Sequence, residues 1–290
     1  MHKTHNTISV YGSRRFGRYL ALLIGVVPFS SMAAPLDFGV KAGFEHFQWK
    51  EIDADGAKYL DETGTRYAIS GFLGNTLKAK KDFIYRAEAK LYFGAVDYDG
   101  QTQDGVPAQS TTRYGGSMAE GEAGYRAGNA DGTFAWDVIG RAGFDFWRRE
   151  IDNTVDVTGR SVRGATEQYT MFNLRVGTGP YWQSGRWQAR FIAGFKLPIA
   201  TNEFISKDDS GFDDDVTLKP KGRTSLFWNF YNHIRVTDKL LITLDAFYDS
   251  YRFDASNPVV VTDNGDTFQV LQPKSSQDNY GLLGGVSFSF

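Results

Sequence analysis

Two aspartates separated by one residue, Asp97 and Asp99, are the clearest pair of side chains in this sequence that could do acid–base chemistry. Paired carboxylates can hold and activate a water molecule for hydrolysis, provided that a base lies close to them. Histidine is the usual base because it exchanges a proton near neutral pH. An Asp-x-Asp segment in a loop is also a common solvated turn, so the pair by itself favours a non-enzymatic protein and leaves hydrolysis as the alternative.

Histidine is scarce in the chain, which restricts both proton transfer and metal binding. Two of the four histidines, His2 and His5, lie at the start of the chain, and the others are His46 and His233. The last two fall near opposite ends of the predicted strands, so we expect no shared metal site. Each is predicted to be a polar group at an interface or in the interior, and we predict no cofactor.

The elements that must position these side chains are strands with a two-residue period. Residues 83–95 show this period most clearly, because Phe83 and Tyr85 fall on one face while Arg86 and Glu88 fall on the other. The same alternation, with turn residues between segments, predicts ten strands at residues 36–49, 65–77, 83–95, 113–126, 133–148, 168–178, 186–197, 225–236, 240–251 and a tenth ending at 290.

Strand length and loop length together predict the fold class. Each predicted strand is long enough for the roughly 9–11 residues that a tilted strand needs to cross a bilayer. The connections are short after even-numbered strands and long after odd-numbered ones, the longest being 198–224 and 252–276. This pattern is typical of bacterial membrane barrels. We therefore predict an all-β fold, a transmembrane antiparallel up-and-down β-barrel of about ten strands.

The strand face opposite the apolar one carries charges of both signs in equal number. The inward set contains Glu45, Glu88, Glu120, Glu122, Asp137, Asp145, Asp245, Asp249, Lys41, Arg86, Lys90, Arg141, Arg175, Arg190, Lys196 and Arg235. Charges that leave bulk water need partners, and a narrow barrel lets side chains from opposite walls meet. We favour a cross-linked, largely filled lumen, with a narrow polar channel as the alternative, since wide pores use about 16–18 strands.

The start of the chain has the organisation of a secretory signal peptide. Residues 1–18 are basic and contain no acid, residues 19–27 are apolar, and small residues follow. Cleavage between Ala33 and Ala34 would leave residues 34–290 as one barrel domain. This removes four basic residues and no acidic one, so 28 basic and 34 acidic residues remain, a net charge of −6. Nucleic acid is therefore not an expected partner.

The last eleven residues alternate between apolar and small side chains. One parity contains Tyr280, Leu282, Val286, Phe288 and Phe290. This segment resembles the C-terminal assembly signal of bacterial outer-membrane proteins, in which a terminal Phe is the commonest last residue. The resemblance implies a Gram-negative cell outer membrane, with lipid, lipopolysaccharide and the barrel assembly machinery as partners. Whether the protein binds an extracellular ligand, and which one, is not predicted by this resemblance.

The predicted strand number and the long outer loops also resemble the omptin-type outer-membrane proteases. The segment Ala95–Gly100, which contains Asp97 and Asp99, is similar to the Asp-x-Asp that omptins carry at the outer end of an early strand. In that family the acidic pair works opposite a His-Asp pair from a later loop. The corresponding loop here, residues 198–224, contains no His. Strand alternation also points both aspartates outward, unless a bulge near Gly94 turns them inward.

The expected function is therefore that of an integral outer-membrane barrel with a charged lumen and long extracellular loops. We expect a structural or surface-interaction protein at the cell surface, or a narrow porin-like channel. The alternative is an omptin-like outer-membrane protease, either active or degenerate, that lacks the loop histidine.

Overall fold

The computed structural model describes residues 36–53, 55–77, 82–102, 105–129, 132–210, 212–263 and 265–290. The predicted signal peptide and its boundary at Ala33 and Ala34 lie outside these residues. Within the described ranges, none of the helical structure has the length and apolar character required to cross a membrane.

Ten long antiparallel strands form a closed ring, which confirms the predicted fold class. They are β1 (Asp37–Ile52), β2 (Lys58–Gly74), β3 (Asp82–Gln101), β4 (Pro107–Gly128), β5 (Phe134–Ile151), β6 (Thr166–Ser184), β7 (Trp187–Ile205), β8 (Ser225–Arg235), β9 (Leu240–Asp254) and β10 (Lys274–Ser289). Each strand pairs with its neighbours in the chain, and β10 pairs with β1 along its whole length, from Asp37 opposite Ser289 to Ile52 opposite Lys274. Closure leaves no free edge in the ring.

The outer surface of the barrel carries an apolar band. On β1 the side chains of Phe38, Val40 and Phe44 are each about half exposed, at 45%, 45% and 52%. Equivalent exposed positions on other strands include Tyr67, Ile69, Leu73, Leu91, Phe93, Val138, Phe172, Leu174, Phe195, Leu226, Leu244 and Val286. Such a band on a closed antiparallel barrel meets the hydrocarbon core of a membrane.

Several strands extend further beyond the band than the hydrophobic pattern predicts. The strand β3 continues to Gln101 rather than stopping near residue 95, and β7 continues to Ile205 rather than to 197. The outward residues Asp97 and Asp99 of the β3 extension are polar because they face water instead of lipid, whereas Ile199 in the β7 extension is still 56% exposed. The apolar alternation therefore ends at the membrane boundary, while the backbone hydrogen bonds continue above it.

The barrel closes through a close approach of β1 and β10. A Cβ placed on Gly285 would lie 2.0 Å from the carbonyl oxygen of Val40, whereas one on the neighbouring Gly284 would meet nothing nearer than 4.0 Å. Gly285 faces the lumen side opposite Lys41, and Gly284 is exposed on the outside. Position 285, which faces inward, therefore requires glycine, whereas position 284 does not.

Short elements between the long strands cover part of the outer end. The strand Val216–Leu218 pairs with the end of β7, and Val259–Asp263 pairs with Asp266–Val270 in a hairpin. Their apolar side chains pack together in a cluster that we call the outer cap, formed by Ile205, Val216, Leu218 and Val261 with Phe212, Val259, Phe268 and Val270.

Candidate functional site: the barrel lumen

The inner end of the lumen is cross-linked around one carboxylate, that of Asp137. The Arg126 guanidinium donates to both of its oxygens at 2.7 and 2.8 Å, and the Arg190 Nε donates at 2.6 Å. Arg190 also donates to Glu122 at 2.7 Å. Arg126 and Asp137 lie directly opposite each other on β4 and β5, while Arg190 comes from β7. All four side chains are buried, so each charge is neutralised by direct contact.

The middle of the lumen is bridged from β1 by Lys41. Its Nζ lies 2.8 Å from Glu88 on β3 and 2.8 Å from Asp245 on β9. The Arg86 guanidinium donates to the other oxygen of Glu88 at 2.8 Å and stacks over the ring of Phe72. Strands that do not neighbour one another are joined through this lysine.

A second bridge crosses the lumen from β5 through Arg141. This guanidinium contacts Glu122 at 2.8 Å and Glu120 at 3.2 Å on β4. On β8, it donates to the side-chain oxygen of Asn229 at 2.8 Å and to the hydroxyl of Tyr231 at 3.1 Å. Because β5 and β8 are not neighbours in the sheet, these bonds span the interior.

Further pairs fill the lumen nearer its outer end. Glu45 on β1 accepts from Arg66 at 2.5 Å and from Lys90 at 3.0 Å. Asp249 on β9 lies 3.3 Å from Arg175 and 2.8 Å from Lys196. These contacts again connect different walls of the barrel.

Asp145 is held by neutral groups. Its Oδ2 accepts from the side-chain amide of Asn173 at 2.8 Å and from the hydroxyl of Tyr251 at 2.5 Å. Between the charged layers there remains a cavity of about 50 Å³ bordered by several of the ion pairs. A cavity of this volume has room for only a few water molecules.

The structure thus brings the predicted lumen residues into contact with one another or with neighbours that sequence reasoning missed. From the predicted inward set, the residues expected to form the lumen charge network were Arg86, Glu88, Lys90, Asp137, Arg141, Asp145, Arg175, Arg190 and Asp245. The missed partners include Arg66, Arg126 and Arg149. Arg66 and Arg126 each adjoin an outward Tyr, so strand parity could have identified them, but Arg149 lies beyond the predicted end of its strand.

Aromatic side chains close the lumen above the charged layers. This aromatic layer consists of Phe47, Trp49, Tyr92, Tyr114, Trp147, Tyr169, Tyr251 and Phe253, all buried. The rings of Trp147 and Tyr169 stack with centroids 4.9 Å apart, and Trp49 meets Tyr169 edge-on at 5.6 Å. The Arg66 guanidinium lies 4.0 Å from the centre of Phe47, which joins this layer to the ion pairs below.

Above the apolar band, three buried carboxyl groups and one partly buried carboxyl group surround one arginine. This outer carboxylate cluster contains Glu51, Glu62, Glu167 and Glu203 around Arg149. The guanidinium lies 3.0 Å from Glu62, 2.6 Å from Glu167 and 3.4 Å from Glu51. Burial raises the pKa of Glu51, although Arg149 opposes the shift. Burial and the nearby Glu167 and Glu51 raise the pKa of Glu203 well above its ordinary value.

The Asp-x-Asp pair does not face the lumen. The pairing of β3 with β4 runs without a register shift from Asp82 to Gln101, so the bulge that would turn the pair inward is not formed. Asp97 and Asp99 are exposed on the outside of the barrel, and Asp99 forms an exposed ion pair with Lys58 at 2.5 Å. Both aspartates therefore keep the outward position that strict alternation predicts, and the inward catalytic pair that a bulge near Gly94 would have formed is absent from the described β3.

The two histidines of the barrel lie on strands other than β3, which carries that pair. His46 is half-buried beside the ring of Tyr280, with centroids 4.8 Å apart, and its Nε2 lies 3.4 Å from the Thr63 hydroxyl. His233 is buried on β8, opposite Thr243. Among the residues that the structure describes, no three His, Asp or Glu side chains are arranged to hold a metal ion.

The residues of the proposed assembly signal lie on the outside of the closing strand. They are Tyr280, Leu282, Val286, Phe288 and Phe290, with exposures between 38% and 74%. Recognition of this segment by the assembly machinery stays a prediction.

The fold and its exterior define the class of this protein. A closed antiparallel barrel with an even number of strands, an apolar outer band and its three longest connections at one end is an integral outer-membrane β-barrel.

Comparison with known proteins gives matches only at the level of structure. No protein-family model matches the chain, and no curated protein matches it in sequence. The translocator domain of the autotransporter NalP from Neisseria meningitidis is 10% identical, with 90% of each chain covered and a TM-score of 0.41. The transport unit of the autotransporter AIDA-I from Escherichia coli is 10% identical over 93% of this chain and 95% of that one, with a TM-score of 0.40. The attachment invasion locus protein Ail of Yersinia pestis is 11% identical over 88% and 99%, with a TM-score of 0.31.

Proposed function

We propose that this protein is a closed, non-conducting outer-membrane barrel that acts as a rigid base for an extracellular interaction surface. The observation that carries the proposal is the filling of the lumen by side chains from opposite walls, with a cavity of only about 50 Å³ between the ion pairs. A hydrated ion needs a continuous polar path. The aromatic layer stands across such a path.

The charged layers support a structural role for the lumen. Lys41 and Arg141 each contact residues on strands that are not their neighbours. Bonds of this kind resist changes in barrel cross-section, because widening the barrel would separate buried opposite charges. A solute channel would need these pairs to part at every passage.

The extracellular side supports an interaction role. A hairpin formed by Thr154–Val155 and Ser161–Val162 is fixed beside β4, where the amide of Val157 donates to the carbonyl of Pro107 at 3.2 Å. Val155 and Val157 are 61% and 74% exposed. Apolar side chains held rigidly in water are suited to contact with another molecule.

Conductance in a planar lipid bilayer tests the closed lumen. Barrels whose heat-dependent gel shift shows that they are folded should give no steady current, while a general diffusion porin inserted in the same way conducts. Steady unitary currents from the folded protein would contradict the proposal and favour the narrow-channel alternative.

Adhesion of cells that express the protein tests the surface role. The variant Val155→Ser/Val157→Ser should reduce cell–cell aggregation or adherence to coated surfaces, with the same amount of folded barrel at the surface. Wild-type adherence equal to that of cells lacking the protein would count against an interaction role.

A further inference from the structure

We propose that a proton on Glu203 holds the outer cap closed, so that the cap loosens when this carboxyl group ionises. The device is separate from the proposed closed lumen, which lies below it. It concerns access to the aromatic layer and the outer carboxylate cluster from the extracellular side.

Glu203 lies at the base of the cap. It pairs with Leu218 on one side and with Tyr169 of β6 on the other, and it precedes the cap residue Ile205 by two positions. The side chain is only 1% exposed, and its Oε2 has no hydrogen-bond partner among the residues that the structure describes. Any movement of this carboxyl group towards water must therefore displace the backbone that carries the cap.

The donors of the cluster are already used by other carboxylates. Glu62 accepts from Arg149 at 3.0 Å, from Thr112 at 2.6 Å and from the hydroxyl of Tyr114. The remaining guanidinium nitrogen of Arg149 donates a hydrogen bond to Glu167 at 2.6 Å. The Glu62 carboxylate thus accepts hydrogen bonds from three different side chains.

Glu51 has its own donors, in Trp49 at 2.8 Å and Gln272 at 3.0 Å. Glu203 has no comparable set of donors among the described residues, since the hydroxyl of Tyr169, its neighbour on β6, donates to Glu167 at 3.1 Å. Among the four carboxyl groups of the outer carboxylate cluster, Glu203 therefore has the fewest hydrogen-bond donors in the described part of the chain. We infer that Glu203 is the carboxyl group that holds a proton.

The charges that face Glu203 oppose its ionisation. Glu51 of β1 and Glu167 of β6 lie close enough to repel a negative charge, and Arg149 of β5 attracts it. The strand Val216–Leu218, which packs against it from the cap, contributes no titratable group. Full ionisation of the cluster would place four carboxylates against one guanidinium in a buried space, which is strongly unfavourable.

The direction of the pH dependence follows from the raised pKa of Glu203. Between the ordinary glutamate pKa of 4.5 and the folded-state value, the closed cap holds a proton that the opened cap releases. The closed state is fully stabilised below this window and loses stability as the pH rises through it. In that window, the equilibrium constant for opening of the cap rises about tenfold for each unit of increase in pH.

Hydrogen exchange of the folded protein in detergent, from about pH 5 to about pH 9 and corrected for intrinsic rates, tests the proposal. Wild-type peptides covering residues 212–224 and 255–272 should lose protection by up to about tenfold per pH unit, while β3 and β4 stay protected. Glu203→Gln keeps the size of the side chain and removes its charge, so the cap should stay protected across the range.

Glu62→Gln is the matched control, because it changes a carboxylate of the same cluster that is fully hydrogen-bonded. It should lower cap protection at every pH and keep the wild-type slope. A slope that persists in Glu203→Gln, or a flat wild-type profile, would overturn the proposal. If Glu203→Gln does not fold, infrared spectra of the wild-type barrel provide the test instead. Absence of a protonated carboxylic acid band at neutral pH would also overturn the proposal.

Discussion

At the scale of single residues, the lumen shows how far the cost of a buried charge depends on its partners. Asp137 accepts hydrogen bonds from two buried arginines, whereas Asp99 forms its ion pair with Lys58 in water, with both side chains about half exposed. Breaking a buried pair leaves a charge without solvent or partner, while an exposed pair is replaced by water.

Removing the carboxylate of Asp137 should therefore destabilise the barrel strongly. Asp137→Ala leaves Arg126 and Arg190 without their shared partner, and we expect the free energy of unfolding to fall by about 3–5 kcal/mol. Urea titration of the refolded barrel, followed by tryptophan fluorescence, measures the change. The control Asp99→Ala should cost less than about 1 kcal/mol. Equal losses in the two variants would mean that the inner ion pairs do not carry the stability assigned to them.

At the scale of elements, barrel closure depends on the contact between β1 and β10. Gly285→Val places a side chain against the backbone of Val40, and it should prevent pairing of the two terminal strands. Gly284→Val, one residue away on the lipid-facing side, has open space and should be tolerated. The yield of the compact, heat-modifiable form on a gel measures closure. Similar yields for both variants would show that β10 adapts its register at the seam.

The hairpin after β5 is held by one carboxylate. Asp156 accepts from the Thr158 hydroxyl at 2.6 Å, from the amide of Thr158 at 2.8 Å and from that of Arg160 at 3.0 Å. The Thr158 hydroxyl, followed by the backbone amides, lowers the pKa of Asp156 to about 2. This stabilisation is present above the ordinary value of 3.8 and is lost as the pH falls towards about 2.

Asp156→Ala should therefore loosen the hairpin at neutral pH to the state that the wild type reaches in strong acid. Hydrogen exchange of residues 152–165 at about pH 7 and about pH 2.5, corrected for intrinsic rates, should show a large wild-type difference and a small one in the variant. Asp152→Ala, which removes an exposed pair with Arg113, is the control and should keep the wild-type difference. A variant as well protected as the wild type at neutral pH would contradict this assignment.

At the scale of the whole molecule, the barrel is layered along its axis. Ion pairs occupy the membrane-spanning part, aromatic rings lie above them, and the outer carboxylate cluster with the cap forms the outer end. Low dielectric inside the membrane strengthens the lower pairs. The upper cluster is buried and rich in acid, and it is where we propose that protonation changes the structure.

The sequence by itself determined the ring of strands and the face of each strand that meets lipid. Alternation is a local property, because successive side chains of any strand point to opposite sides, and lipid selects apolar residues on one of them. The outward position of residues such as Phe83, Tyr85 and Leu91 could therefore be predicted from the sequence. The inward direction of Glu88 and Arg141 followed from the same parity.

Only the tertiary structure decided which inward groups meet and how the outer end is closed. The contact of Lys41 with Asp245, like that of Arg141 with Tyr231, depends on the register of strands far apart in the chain. The outward direction of Asp97 depended on whether β3 contained a bulge, and it contains none. Register and bulges are set by the sum of many pairings around a closed ring, so no single segment of the sequence encodes them.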